Sequence, residues 1–82
     1  MRKGIVIDNV VSTRKQESLV GSKFLEVQLI ENGAKTDKFV IAVDSVGAGI
    51  GETVLLTEGS SARLALRNTS APVDAVVVGI VD

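Results

Sequence analysis

Lys23-Phe24-Leu25-Glu26-Val27-Gln28-Leu29-Ile30 alternates, and Asn32-Gly33 follows two residues later. Leu25, Val27 and Leu29 fall on one side of an extended chain, and Glu26 and Gln28 on the other. That is the pattern of a half-buried β-strand. Asn and Gly both tolerate positive φ, so Asn32-Gly33 predicts a tight hairpin turn. Phe39 to Asp44 is the returning strand, with Phe39, Ile41 and Val43 on one face. Residues 23–44 therefore read as an antiparallel hairpin, and the rest of the chain must supply strands to cover it.

Upstream, Ile5 to Val11 is rich in Val and Ile and lacks a helical period, which predicts another strand. Ser12 to Ser22 is polar, contains Gly21 and reads as a loop. Downstream, Gly47-Ala48-Gly49-Ile50-Gly51 is a glycine-rich loop, and Thr53 to Thr57 is a short strand. Gly59 to Leu66 fits one or two helical turns with Ser60 as N-cap. Arg67 to Ala71 is a polar loop. Pro72 opens a last strand, Val73 to Val81, that is apolar on both faces and so needs cover on both. A neighbouring subunit or the helix must supply the outer cover. The sum is all-β: a small five-stranded, partly open, OB-like β-barrel with one short helix, since closure removes sheet edges. Residues 1–82 are expected to form one domain without repeats.

A domain of 82 residues buries a modest share of its surface and usually needs a staple. No Cys is present for a disulfide, and no His for a structural zinc site. Self-association is the staple that remains. The 14 Val, 6 Ile and 7 Leu support it, because a narrow barrel cannot take all of them inside. The net charge of −1 argues against nucleic acid and against an anionic membrane surface. No apolar run approaches the roughly 20 residues of a membrane span. Met1-Arg2-Lys3-Gly4 is not followed by a signal-peptide core, so a cytosolic protein is expected. Asn68-Thr69-Ser70 is then a chance sequon.

The residues that carry chemistry are sparse. Gly47, Gly49 and Gly51 have the wrong spacing for a dinucleotide fingerprint, and a strand follows them instead of a helix. Ser12, Ser60 and Ser61 have no His to act as base, and no Tyr or Cys is present to move protons. No D-x-D or E-x-x-E cluster suggests a metal, so no enzyme, cofactor or metal site is expected. Two other readings stay open. Thr36-Asp37-Lys38 partly resembles the modification site of lipoyl and biotinyl carrier domains, which would place the group on Lys38. A small barrel can also bind single-stranded nucleic acid through exposed aromatics. Phe24 and Phe39 are the only aromatics here, and both are expected in the core.

Taken together, the loops bring a family into view. Val11-Ser12-Thr13 with Lys15, Ser18-Leu19 with Gly21, and Lys23-Phe24-Leu25 with Val27-Gln28 resemble the N-terminal half of the EutN/CcmL-type vertex proteins of bacterial microcompartments. The likeness runs on through Ala42 to Glu52, through Gly59 to Arg63, and through Pro72, Asp74-Ala75 and Val77 to Asp82. Residues 31–38 carry no such motif. The resemblance implies a five-stranded barrel assembled as a homopentamer. It would cap the five-fold corners of a shell otherwise built from hexameric tiles, in the bacterial cytoplasm. It implies that Gly59, Ser60, Ser61 and Ala62 lie near the five-fold axis, where a helix start would favour a small anion. Gly47, Ala48, Gly49, Gly51 and Glu52, with Ser12, Thr13 and Lys15, would meet the hexameric shell proteins. Arg63 would pair with Asp44 or Asp74 across the subunit boundary, beside Val76 and Val78.

Overall fold

A computed structural model of the chain describes residues 1–12, 15–67 and 72–82. Thr13 and the Asn68-Thr69-Ser70 sequon, with most of the polar loop it belongs to, lie outside the described residues. The chain forms β1 (Arg2–Val10), a 3₁₀ turn (Glu17–Leu19), β2 (Phe24–Glu31), β3 (Ala34–Asp44), β4 (Thr53–Glu58), α1 (Ser60–Ala65) and β5 (Ala75–Ile80). The strands close into a barrel in the order β1-β2-β3-β5-β4. All pairings are antiparallel except β3 with β5, which meet in parallel at Val43↔Val76 and Asp44↔Val77. The expected partly open sheet is thus shut by a short parallel seam. Among the described residues, the Ala34–Ala42 part of β3 has a ladder on one side only.

The hairpin forms where the turn chemistry puts it. Asn32 and Gly33 have φ of 52° and 77°, the two positive values that a twisted two-residue hairpin turn requires. β3 begins directly after this turn, five residues before the expected start at Phe39. Lys35 to Lys38 carry no apolar alternation, so periodicity misses them, yet Ile30↔Lys35 and Glu31↔Ala34 are paired. Between Lys35 and Phe39 the ladder shifts. There the Thr36 hydroxyl donates to the Leu29 carbonyl (2.8 Å) and the Gln28 side chain donates to the Thr36 carbonyl (2.7 Å). Further shifts fall at Ile7 in β1 and at Val78 in β5. Such irregularities bend strands, which a barrel of only five strands needs in order to close.

Leu25, Val27 and Leu29 point inward with Val6, Ala42, Val54, Leu56, Ala75 and Val77, and together they fill the barrel. A second, smaller cluster sits outside the sheet: Val43, Val73 and Val76 under Ala62 of α1, with Leu19, Phe24 and Leu66 at its margin. The last strand is indeed apolar on both faces. Ala75 and Val77 serve the interior and Val76 the helix-covered exterior.

One interior position is set by backbone proximity. Gly4 pairs with Leu29 on one side and with Val54 on the other. A Cβ there would run into Val27 Cγ1 and come within 2.9 Å of the Gln28 carbonyl oxygen. The carbonyl belongs to the adjacent ladder and cannot swing away. Gly4→Ala is therefore expected to cost about 1–3 kcal/mol by overpacking. Gly79→Ala is the control, because its nearest neighbour would be Leu55 at an ordinary 3.5 Å. Urea denaturation should show a lower midpoint for the first variant and little change for the second. Equal midpoints would refute the assignment.

Candidate assembly surface

Four surfaces could meet other chains: the loops at 11–23 and 45–52, helix α1, and the outer face of β3. On the first, Ser12 and Lys15 are exposed, and the Lys15 ammonium lies 5.8 Å from the Phe24 ring centroid and donates to the Ser12 carbonyl (3.3 Å). These residues line an open concavity with Asn9 and Lys23. Lysine over a ring face is attracted by the ring quadrupole and shields the aromatic from water.

The 45–52 loop runs over one mouth of the barrel. Gly47, Gly51 and Glu52 lie at its surface and Gly49 is half-buried. Ala48 is not on this surface: its methyl is fully buried in the barrel core, and the loop closes the mouth through it. Asp44, expected to reach another subunit, is spent within its own chain. Its carboxylate accepts N–H groups of the 45–52 loop and pairs with Lys23 at 3.7 Å.

At α1, Gly59 is the N-cap with φ of 67°, and no side-chain cap bond forms, so Ser60 is the first helical residue and not the cap. Gly59, Ser60 and Ser61 are exposed, whereas Ala62 is buried within its own chain against the outer cluster. Arg63 Nη1 donates to the Val73 carbonyl (3.2 Å) and Nη2 to Ser60 Oγ (3.5 Å). Within the chain it therefore ties α1 to the segment before β5 and pairs with neither Asp44 nor Asp74. Asp74 is exposed, and its carbonyl accepts the Gly59 N–H at 2.7 Å. Val76, expected at an interface, is covered by the chain's own helix, and Val78 is half-buried beside it.

The fourth surface is the outer face of β3. Phe39 and Ile41 point outward from β3 and are 48% and 50% exposed, contrary to the core placement expected for Phe39. Register explains it. Gln28 opposes Phe39 and Glu26 opposes Ile41, so residues that face solvent on β2 carry their β3 partners to the same face. Cross-strand phase was the available signal, and it requires the turn position and the ladder shift together. Beside Ile41 a shallow groove of about 130 Å³ continues the apolar surface past Phe24, Val43, Pro72 and Val73. Phe24 is only half-buried, at the margin of the outer cluster.

The two competing readings fare poorly in this geometry. Lys38 lies in the irregular part of β3, five residues beyond the hairpin tip, and its ammonium donates to Glu31 Oε1 (3.2 Å). A carrier lysine needs the tip. The exposed Phe39 face carries the Glu26 carboxylate beside Ile41, where a single strand of nucleic acid would want a cation. Among the described residues no three or more His, Cys, Asp or Glu are gathered to hold a metal ion.

Comparison with known proteins agrees with the barrel and its loops. The family model described as ethanolamine utilisation protein EutN/carboxysome matches residues 1–82. The carboxysome shell vertex protein CcmL of Gloeobacter violaceus is 48% identical over 83 residues, spanning 100% of this chain and 83% of that protein. The bacterial microcompartment shell vertex protein EutN of Salmonella typhimurium is 43% identical, spanning 100% and 84%. Among solved structures, the GrpN pentameric microcompartment shell protein of Rhodospirillum rubrum superposes with a TM-score of 0.90 at 46% identity, covering 100% of this chain and 94% of that one. With one barrel, one short helix and a match along every residue, the chain belongs to the EutN/CcmL family.

Proposed function

We propose that this protein is a structural subunit of a bacterial microcompartment shell. Five copies close head to tail into a ring that caps a five-fold vertex. A heterologous contact whose rotation closes builds such a ring. The observation that supports it most is the family match along residues 1–82, which takes in relatives named as shell vertex proteins and a pentameric shell protein. The outward apolar face at Phe39 and Ile41 agrees with it, since a free chain would leave that surface in water.

In this reading Gly59, Ser60 and Ser61 lie toward the ring axis, where small side chains allow close approach. Arg63, Asp74 and Val78 lie near the subunit boundary. The exposed parts of the two loops, Ser12 and Lys15 with Gly47, Gly49, Gly51 and Glu52, face hexameric shell proteins. The assembly works in the bacterial cytoplasm, apart from nucleic acid and membrane. The role is mechanical: flat hexagonal tiling cannot close without five-fold corners.

Light scattering coupled to size exclusion tests the ring. The expected mass is five times that of the 8.6 kDa chain. A monodisperse monomer at micromolar concentration would defeat the proposal.

A further inference from the structure

Residues 34–42 of β3 have a ladder to β2 and, among the described residues, none on the other side. At about 3.3 Å per residue, roughly 30 Å of strand edge is left open. The second half of this edge is hazardous. Phe39-Val40-Ile41-Ala42-Val43 is an unbroken apolar run without charge, Pro or Gly, and Phe39 and Ile41 are exposed. Such a segment at a free edge is a template for the same segment of another copy.

The first half is built differently. Between the pairs Gln28↔Phe39 and Ile30↔Lys35, three residues of β3 (Thr36, Asp37 and Lys38) stand against Leu29 alone. The extra length is fastened to the chain's own groups. Thr36 Oγ1 donates to the Leu29 carbonyl (2.8 Å) and accepts the Lys38 backbone N–H (3.2 Å). The Thr36 carbonyl accepts Gln28 Nε2 (2.7 Å), and Lys38 Nζ donates to Glu31 Oε1 (3.2 Å). One backbone donor and one backbone acceptor that an incoming strand would need are therefore already used. The bulge also breaks the straight run of groups that pairing requires. Lys35, Asp37 and Lys38 are all exposed. Bending the strand needs the extra residues but not their charges. Charges on an open edge oppose strand addition, because pairing would have to desolvate them.

We propose that residues 35–38 guard the edge of β3. The Thr36 bulge and the charges of Lys35, Asp37 and Lys38 stop strand 39–43 from pairing edge to edge with β3 of a second copy, so that copies meet through side-chain faces instead. The guard is a property of the single chain and goes beyond the shell reading, so a wild-type monomer would end that reading and leave the guard to its own test.

That test starts with Lys35→Thr/Asp37→Thr/Lys38→Thr. It removes the charges at exposed positions and keeps strand preference, so it is expected to fold, which circular dichroism and a urea melt check. Incubated beside the wild type at equal concentration, it should bind thioflavin T and scatter light about tenfold or more above it. Lys35→Arg/Asp37→Glu/Lys38→Arg keeps the charges and should behave as the wild type does. Hydrogen exchange on the associated material should show new protection at amides 39–42. A folded Thr variant no more prone to associate than the wild type, or new protection confined to other strands, would overturn the proposal. Thr36→Val removes the bulge's hydroxyl without touching the charges. Exchange at the Lys38 amide should quicken about tenfold, and association should rise above the wild-type level. Unchanged exchange and unchanged association in this variant would overturn the proposal even if the triple Thr variant failed to fold.

Discussion

A Leu56→Ala chain is expected to lose about 2–5 kcal/mol of folding stability, close to the range of large-to-small core substitutions where the site cannot collapse. Leu56 is among the largest fully buried side chains in the barrel. It pairs with Arg2 on one side and Val77 on the other, so the ladders on both flanks hold the backbone in place while the cavity opens. Natural domains carry about 0.05–0.15 kcal/mol per residue. For 82 residues that is roughly 4–12 kcal/mol in total, so the variant should be marginal or unfolded. The neighbour supplies the contrast. Leu55 points outward beside Gly79 and is 36% exposed, and Leu55→Ala should cost under about 1 kcal/mol. Urea melts give the measurement, with the midpoint falling and the slope unchanged. They are cleanest in a background that does not associate, because assembly adds concentration-dependent stability. Similar costs for the two leucines would mean that the β4 phase is wrong.

The inward phase of β2 was legible because Glu26 and Gln28 separate Leu25, Val27 and Leu29, leaving only one way to bury the strand. β3 offers no such contrast. Phe39, Ile41 and Val43 alternate with Val40 and Ala42, both sets are apolar, and the larger residues invite the wrong choice. The barrel takes the smaller set because five strands leave a narrow interior. The same crowding explains Ala48 and Ala62. Small residues suit close approach between chains, but here they suit close approach within one: Ala48 under its own loop and Ala62 against Val76. The charged start of β3 was invisible to periodicity because its backbone pairing, and not its side chains, keeps it in the sheet. Asp44 beside Ser45, Val46 and Gly47 carries turn chemistry in the sequence, since Asp side chains accept nearby backbone amides. That it would take three of them, and be buried doing so, depends on Lys23 arriving from the loop that leads into β2.

Ile41→Lys is expected to take the ring apart while leaving the barrel intact, which makes it the sharper test of assembly. Ile41 is half exposed on the outer face of β3, where the ladder to β5 has already ended and an apolar groove begins. Covered by a second chain, the exposed half of that side chain contributes about half the transfer energy of a large aliphatic group, about 0.8–1.5 kcal/mol at each interface. A lysine there would instead bring an ammonium into the seam, and the cost of desolvating it, only partly offset by Glu26 across the strand pair, adds to the lost burial at all five interfaces. In the free chain the change is mild. Glu26 lies directly across the strand pair from position 41, so a lysine gains an opposite-charge neighbour worth about 0.2–1 kcal/mol, and its long apolar stem still lies on the sheet. Loss of the ring could not then be blamed on unfolding. Light scattering should fall from five chain masses to one, while the circular dichroism spectrum and the urea midpoint of the dissociated chain stay close to those of the wild-type barrel. A variant that kept its five-fold mass would put the subunit contact elsewhere on the barrel and leave the exposed Phe39 and Ile41 to a different partner.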